Sequence, residues 1–169
     1  VTRSYKFTSI PELNAVLRQY NVMADLGKEG SQMNLKRGLL YRFINEKGSK
    51  VGMAIKASTI YGKPTLANLE KQFKVNEVLR RPHRQRLIQS IDNSIRGKES
   101  VTKSAFVQAL AKDGIFVLFR QNEEGRIYGL TFVDNKAKVV FNGSDLGKAY
   151  GAKAITERLT NLNSQTPIQ

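Results

Sequence analysis

The sequence predicts an α+β protein: two copies of a helix, three-stranded antiparallel meander, helix module, joined by a central helix. Three observations predict it. The chain repeats itself, because Ile55-Lys56-Ala57-Ser58-Thr59-Ile60 with Leu66, Leu69 and Phe73 aligns without a gap on Phe141-Asn142-Gly143-Ser144-Asp145-Leu146 with Ala152, Ile155 and Leu159, every pair 86 positions apart. Leu13, Leu17 and Val22 match Phe106, Leu110 and Ile115 at an offset of 93, and Gly38-Leu39 matches Gly129-Leu130 at 91, so loops change length while elements keep their order. Apolar residues at helical spacing bracket each copy, and aromatic, β-branched runs broken by short polar turns lie between them. The period is too long for a solenoid and fits a module duplicated once.

Thr8-Ser9 followed by Glu12 marks the first helix start, with Ser9 as cap and Glu12 closing a capping box. Pro11 lies early in that helix, where its missing N–H costs little, and Leu13, Val16, Leu17 and Tyr20 form its apolar face. Asn21-Val22-Met23-Ala24 reads as a short strand leaving the helix, and residues 28–32 as a polar loop. The β-rich runs 38–44 and 51–55 flank a hairpin connection at 45–50. Pro64 is expected at the first position of a helix carrying Leu66, Leu69 and Phe73, which stops at Arg80-Arg81-Pro82. A further helix from His83 to about Arg96 presents Leu87, Ile88, Ile91 and Ile95 and ends at Gly97. It has no counterpart in the duplication and is expected to connect the copies.

In the second copy Thr102 or Ser104 caps a helix with Phe106, Ala109 and Leu110 inward, ended by Asp113-Gly114. Strands are expected over 115–120, 126–133 and 138–141, turned at 123–125 and 134–136, and a helix from about Gly151 to Leu159. The organisation is thus a first module over 1–79, a basic bend and connecting helix over 80–100, a second module over 101–160, and a frayed tail over 161–169. A three-stranded sheet alone is thinly stable, so docking of the copies is expected.

Twenty-eight Lys plus Arg against fourteen Asp plus Glu give a formal net charge of +14. Such a surplus speaks of partners, and a nucleic-acid backbone is the commonest one; a solvated basic surface is the plain alternative. There is no cysteine, which excludes disulfides and thiolate metal sites. No apolar run reaches the length of a membrane span, and the start lacks the apolar core of a signal peptide. A start at Val1 running straight towards an element is expected of a segment of a longer protein.

Catalysis finds little support in the residues. The single histidine, His83, cannot supply a metal cluster or a general base beside a signposted nucleophile, and its basic setting suits a surface or phosphate contact. Gly143-Ser-Asp-Leu-Gly147 lacks the spacing and the following Lys-Ser/Thr of a P-loop. Neither cofactor nor metal is expected.

Three features could bind. Lys56-Ala57-Ser58 and Asn142-Gly143-Ser144 end equivalent strands before a loop and helix. The serines are either turn chemistry kept twice or part of an anion seat in which helix N–H groups and Lys63 or Lys148 face a phosphate. Arg80, Arg81, Arg84 and Arg86 fan from the bend at Pro82, either as phosphodiester contacts or as ordinary surface charge. Arg42, Arg120 and Arg126, interleaved with Tyr41, Phe119 and Tyr128, either offer stacking for a single strand or contribute their rings to the core.

The stretch from Arg120 to Asp134, followed by Phe141-Asn-Gly-Ser-Asp-Leu-Gly-Lys148, resembles the region C-terminal to the nicking domain in relaxases (mobilisation nucleases) of conjugative transposons and plasmids. The first copy is similar to the same kind of segment. The resemblance implies a bacterial, cytoplasmic protein whose parent nicks one DNA strand at a transfer origin with a tyrosine and a histidine-held metal. That machinery has no match here, and Tyr5, Tyr20, Tyr41, Tyr61, Tyr128 and Tyr150 are not assigned as nucleophiles. The expected role is a non-catalytic accessory domain holding DNA near the transfer origin through Lys56, Lys63, Arg80, Arg81, Arg84, Arg86, Arg126 and Lys148. The alternative is a protein-interaction module docking the relaxase to the transfer machinery or to itself, with no membrane contact in either case.

Overall fold

In the computed structural model, residues 1–160 are described; the tail expected over 161–169 lies outside them. The architecture is α+β, and the chain divides into two compact units, Val1–Leu79 and Arg80 onward.

Unit 1 opens with α1 (Ile10–Arg18), whose Ser9 hydroxyl accepts from Glu12 N–H. The capping box is reciprocal in a shifted sense: the Glu12 carboxylate accepts from the N–H and hydroxyl of Thr8, not from Ser9. Strand β1 (Val22–Asp25) follows, then a one-turn helix α2 (Gln32–Leu35) that begins at the last residue of the expected polar loop and is capped by Ser31. Strands β2 (Leu40–Ile44) and β3 (Lys50–Lys56) complete an antiparallel sheet in the order β1-β2-β3. On β3, Gly52 at φ +73° lets the strand bulge so that Val51 pairs with Phe43 while Ile55 pairs with Tyr41. Helix α3 (Leu66–Leu79) starts two residues later than expected. Pro64 is therefore not its first position; Thr65 caps it, and the Thr65 hydroxyl accepts from Asn68 N–H. Leu13, Val16, Leu17, Tyr41, Leu66 and Leu69 are buried, and Phe7 meets Phe73 edge-on at 6.1 Å.

Unit 2 begins with a 3-10 turn at Arg81–His83 that breaks the helical run at Pro82, then α4 (Arg84–Ile95). The central helix is therefore part of this unit and not a bare connector: Leu87, Ile88, Ile91 and Ile95 belong to one apolar cluster with Phe106, Leu110, Phe132, Phe141 and Ile155. Helix α5 (Lys103–Lys112) is capped by Thr102, which resolves the choice between Thr102 and Ser104. Strands β5 (Ile115–Gln121), β6 (Ile127–Asp134) and β7 (Val139–Asn142) form the second meander. One-turn helix α6 (Gly143–Leu146) and α7 (Ala152–Glu157) follow. The expected helix end at Leu159 is instead a strand, β8 (Leu159–Thr160), which pairs in parallel with β4 (Val101–Thr102).

The duplication is structural. In unit 1 a cross-strand rung runs Ala24, Tyr41, Ile55; in unit 2 the rung Val117, Phe132, Phe141 sits at offsets of 93, 91 and 86, the offsets of the sequence repeat. Equivalent strands thus carry equivalent residues on the same face. The small residue after each strand has a steric cause. Ala57 is fully buried, and a Cβ added at Gly143 would overlap the carbonyl oxygen of Tyr150.

Candidate nucleic-acid interface

Charge is divided evenly. Unit 1 holds thirteen Lys and Arg against six Asp and Glu, and the remainder holds fifteen against eight, so each half carries +7. The question is which cations face solvent.

The expected fan of four arginines resolves into different roles. Arg80 is buried: its guanidinium donates to Val140 C=O at 2.9 Å, stacks 4.4 Å over the Phe141 ring and lies 3.8 Å from Asp145. It is held by the protein's own acceptors and does not face solvent. Arg84 donates to Leu146 C=O, and Arg86 approaches the buried Asp134 carboxylate at 3.5 Å, though both remain exposed. Arg81 is exposed and forms no side-chain hydrogen bond, ion pair or ring contact among the described residues. His83 is half-buried at the start of α4 and makes no capping bond.

Lys56, Lys63, Arg126 and Lys148 are exposed. Lys56 borders the most seat-like feature of unit 1, a cavity of about 370 Å³ lined also by Lys36, Arg37, Ser58 and Thr65. Arg37 there pairs with Glu70. Lys63 sits at φ +44° in the turn before α3, and its carbonyl accepts from the Asn68 side chain. The positive charge of this seat is not duplicated. The positions equivalent to Lys36, Arg37 and Lys56 are Ile127, Tyr128 and Asn142, and the Asn142 side chain accepts from Thr131. Ser58 and Ser144 form no side-chain hydrogen bond among the described residues, so their recurrence is not explained by a turn bond.

The interleaved sheet residues also separate. Tyr41 is core: its hydroxyl donates to Pro64 C=O at 2.8 Å, and burial pushes its phenol pKa up to about 12. Phe119 is half-buried against Phe106, with the Lys103 ammonium 4.6 Å over its ring; burial lowers the pKa of Lys103. Arg42 is held by Asp25 at 2.7 Å, with Lys50 at 3.2 Å from the same oxygen. Burial raises the Asp25 pKa, but the Gly27 N–H, Arg42 and Lys50 outweigh it and hold the carboxyl below its ordinary value. Tyr128 is 60% exposed, with the Arg120 guanidinium 5.7 Å from its ring and Arg126 nearby in sequence. The Arg120 Nε is buried without a hydrogen-bond partner among the described residues.

Tyr20, expected on the apolar face of the first helix, lies past the end of α1 and is 53% exposed, and two further exposed aromatics have no place among the expected binding residues. Phe43 is 56% and Tyr61 96% exposed, and Arg3 stacks 6.0 Å from the Tyr61 ring. Phe43 alternates with Tyr41 and looks like core, so it gave no signal. Tyr61, a bulky ring beside Gly62 in a loop, did give one.

No protein-family model, curated protein or solved structure matches the chain. Among the described residues no cluster of three or more His, Cys, Asp or Glu could hold a metal ion, and no helix is long and apolar enough to cross a membrane.

Proposed function

We propose that this chain is a non-catalytic accessory domain of a DNA-mobilisation relaxase that binds DNA near the transfer origin in the bacterial cytoplasm. The observation that carries the reading is the charge of each unit, +7 in both, with Lys56, Lys63, Arg81, Arg126 and Lys148 exposed. Cations without protein partners are the ones that displace counterions from a phosphate backbone. Arg84 and Arg86 reach back to protein oxygens and join as secondary contacts; Arg80 takes no part, because it is spent on the core of unit 2. The relaxase-like wording of residues 120–148 supplies the biological setting.

The exposed Tyr128 ring, with the half-buried Arg120 guanidinium beside it, supports a single strand over a duplex, since such a ring stacks on an unpaired base of any identity. The test is affinity for single-stranded and duplex origin oligonucleotides across a salt series. Binding that weakens steeply as salt rises, stronger for the single strand, is expected. Absence of binding at low salt rejects the reading.

A further inference from the structure

The two copies share a sheet but not its cover. In unit 2 the rungs Ile115–Asp134 and Phe132–Phe141 are closed, with Asp134 at 0% and Phe141 at 3% exposure. The segment from Arg80 through α4 contributes to that cover, beside Phe106 and Leu110 of α5 and Ile155 of α7. Arg80 stacks on Phe141, Arg86 reaches Asp134, and the Leu87, Ile88, Ile91 and Ile95 stripe shares one cluster with Ile115, Phe132 and Phe141.

In unit 1 the equivalent rungs are Val22–Phe43 and Tyr41–Ile55. Here Phe43 is 56% and Ile55 44% exposed, and on the same strand Met53 is 89% exposed. The strand pairings put Tyr41 and Phe43 on one side of the sheet with Val22 and Ile55, and these four line a cavity of about 270 Å³ with Tyr61 and Pro64. Contiguous exposed apolar surface of this kind marks an interaction site. No helix of unit 1 repeats the place of α4, so the apolar face that is filled in one copy is, in the other, buried at Ala24 and Tyr41 but open at Phe43 and Ile55.

We propose that the open face of unit 1 is a helix seat, taken by an amphipathic α-helix of a partner protein whose aliphatic stripe repeats the spacing of Leu87, Ile88, Ile91 and Ile95. The internal duplicate defines the occupant: of the helices whose side chains share the unit 2 cluster, α4 is the one with no counterpart in unit 1, and it brings four aliphatic side chains on one face. Charge defines its other face. Unit 1 carries thirteen cationic against six acidic side chains, with Lys50 and Lys56 exposed at the two ends of the edge strand β3 and Arg3 beside Tyr61. The partner helix is therefore acidic on its polar side. Val51, Met53 and Ile55 suit aliphatic packing better than base stacking, which needs flat rings in succession. The proposal does not rest on DNA binding; it gives the protein-interaction reading a surface.

The probe is a fluorescein-labelled 16-residue peptide with Leu, Ile, Ile and Ile at the α4 spacing and Glu at the outward positions, titrated into the full chain. Saturable binding with a Kd of roughly 10–100 μM is expected, as for a helix in a shallow groove. Affinity should fall at least tenfold in Phe43→Ser and in Ile55→Ser. Amide shift changes in the unsubstituted protein should map to Val22, Tyr41, Phe43 and Ile55 and spare Phe132 and Phe141, a readout that survives if a variant misfolds. No saturation at millimolar peptide overturns the proposal, as does binding that both variants leave unchanged. So does a concentration-dependent dimer that Phe43→Ser dissociates while the peptide does not compete, which would make a second copy the occupant. Loss of single-strand affinity in Phe43→Ser without peptide binding would equally overturn it, in favour of a base platform.

Discussion

Tyr41 and Phe132 stand at the same point of two meanders: Tyr41 is flanked across the sheet by Ala24 and Ile55, Phe132 by Val117 and Phe141. The pair differs by one oxygen, and that oxygen has a use, since the Tyr41 hydroxyl donates to Pro64 C=O ahead of α3. Tyr41→Phe should therefore cost about 1 kcal/mol, the net worth of one hydrogen bond, with the Pro64 oxygen left unpaired. Phe132→Ala, which empties a fully buried site, should cost about 3–5 kcal/mol. Urea unfolding of both variants checks the contrast.

Alkaline titration reads the same tyrosine. Burial lifts the Tyr41 pKa to about 12, above the roughly 10 of an unfolded tyrosine, so the folded state holds its proton more tightly. The associated stability is complete below about pH 10 and is lost as pH rises towards 12. Absorbance at the tyrosinate band should show a late-titrating group that Tyr41→Phe removes.

Asp25 gives the opposite dependence. Its carboxyl is held below its ordinary value, so its contribution is present above the unfolded pKa of about 3.9 and fades as pH falls through the folded one. Stability measured from pH 7 down to pH 3 should decline more steeply in the parent than in Asp25→Asn. The variant should also release Arg42 and Lys50 from their shared partner.

Much of the architecture could be read from the residues. Both meanders were legible because strand alternation and short polar turns are local, and the offsets of 93, 91 and 86 already encoded the strand register. What was not legible depended on distant partners. The burial of Arg80 is decided by Val140, 60 positions away, and its neighbour Arg81 differs in nothing that the sequence displays. The β4–β8 pairing involves two residues on each side and has no periodic signature. Phe43 and Tyr41 share a strand face, and nothing in their spacing separates the exposed ring from the core one. Likewise the cationic seat beside Lys56 depends on Lys36 and Arg37, which lie on a different loop and outside the repeated words.

The arginine bend offers a clean separation of stability from binding. Arg80→Ala strands the Val140 carbonyl and removes the stack on Phe141, at a cost of roughly 3 kcal/mol in unfolding. Arg81→Ala, at an exposed side chain, should stay within about 0.5 kcal/mol of the parent. Single-stranded oligonucleotide binding should reverse the ranking at temperatures where both are folded: Arg81→Ala lowers the salt slope by about 0.7, and Arg80→Ala leaves it alone.

Gly143 tests the repeat at its tightest point. Gly143→Ala drives a methyl into the Tyr150 carbonyl and should cost more than about 2 kcal/mol, whereas Ala57→Gly, its mirror in unit 1, should cost about 1 kcal/mol. Thermal unfolding of the two variants measures the asymmetry.

The measurement closest to the functional claim is the slope of log affinity against log salt for a single-stranded oligonucleotide, compared between the parent and a variant with Lys56, Lys63, Arg81, Arg126 and Lys148 all changed to Gln. If these exposed cations carry DNA binding, each removes about 0.7 from the slope, and the variant's slope falls by roughly 3 to 4. A folded variant whose slope and affinity equal the parent's would contradict the account.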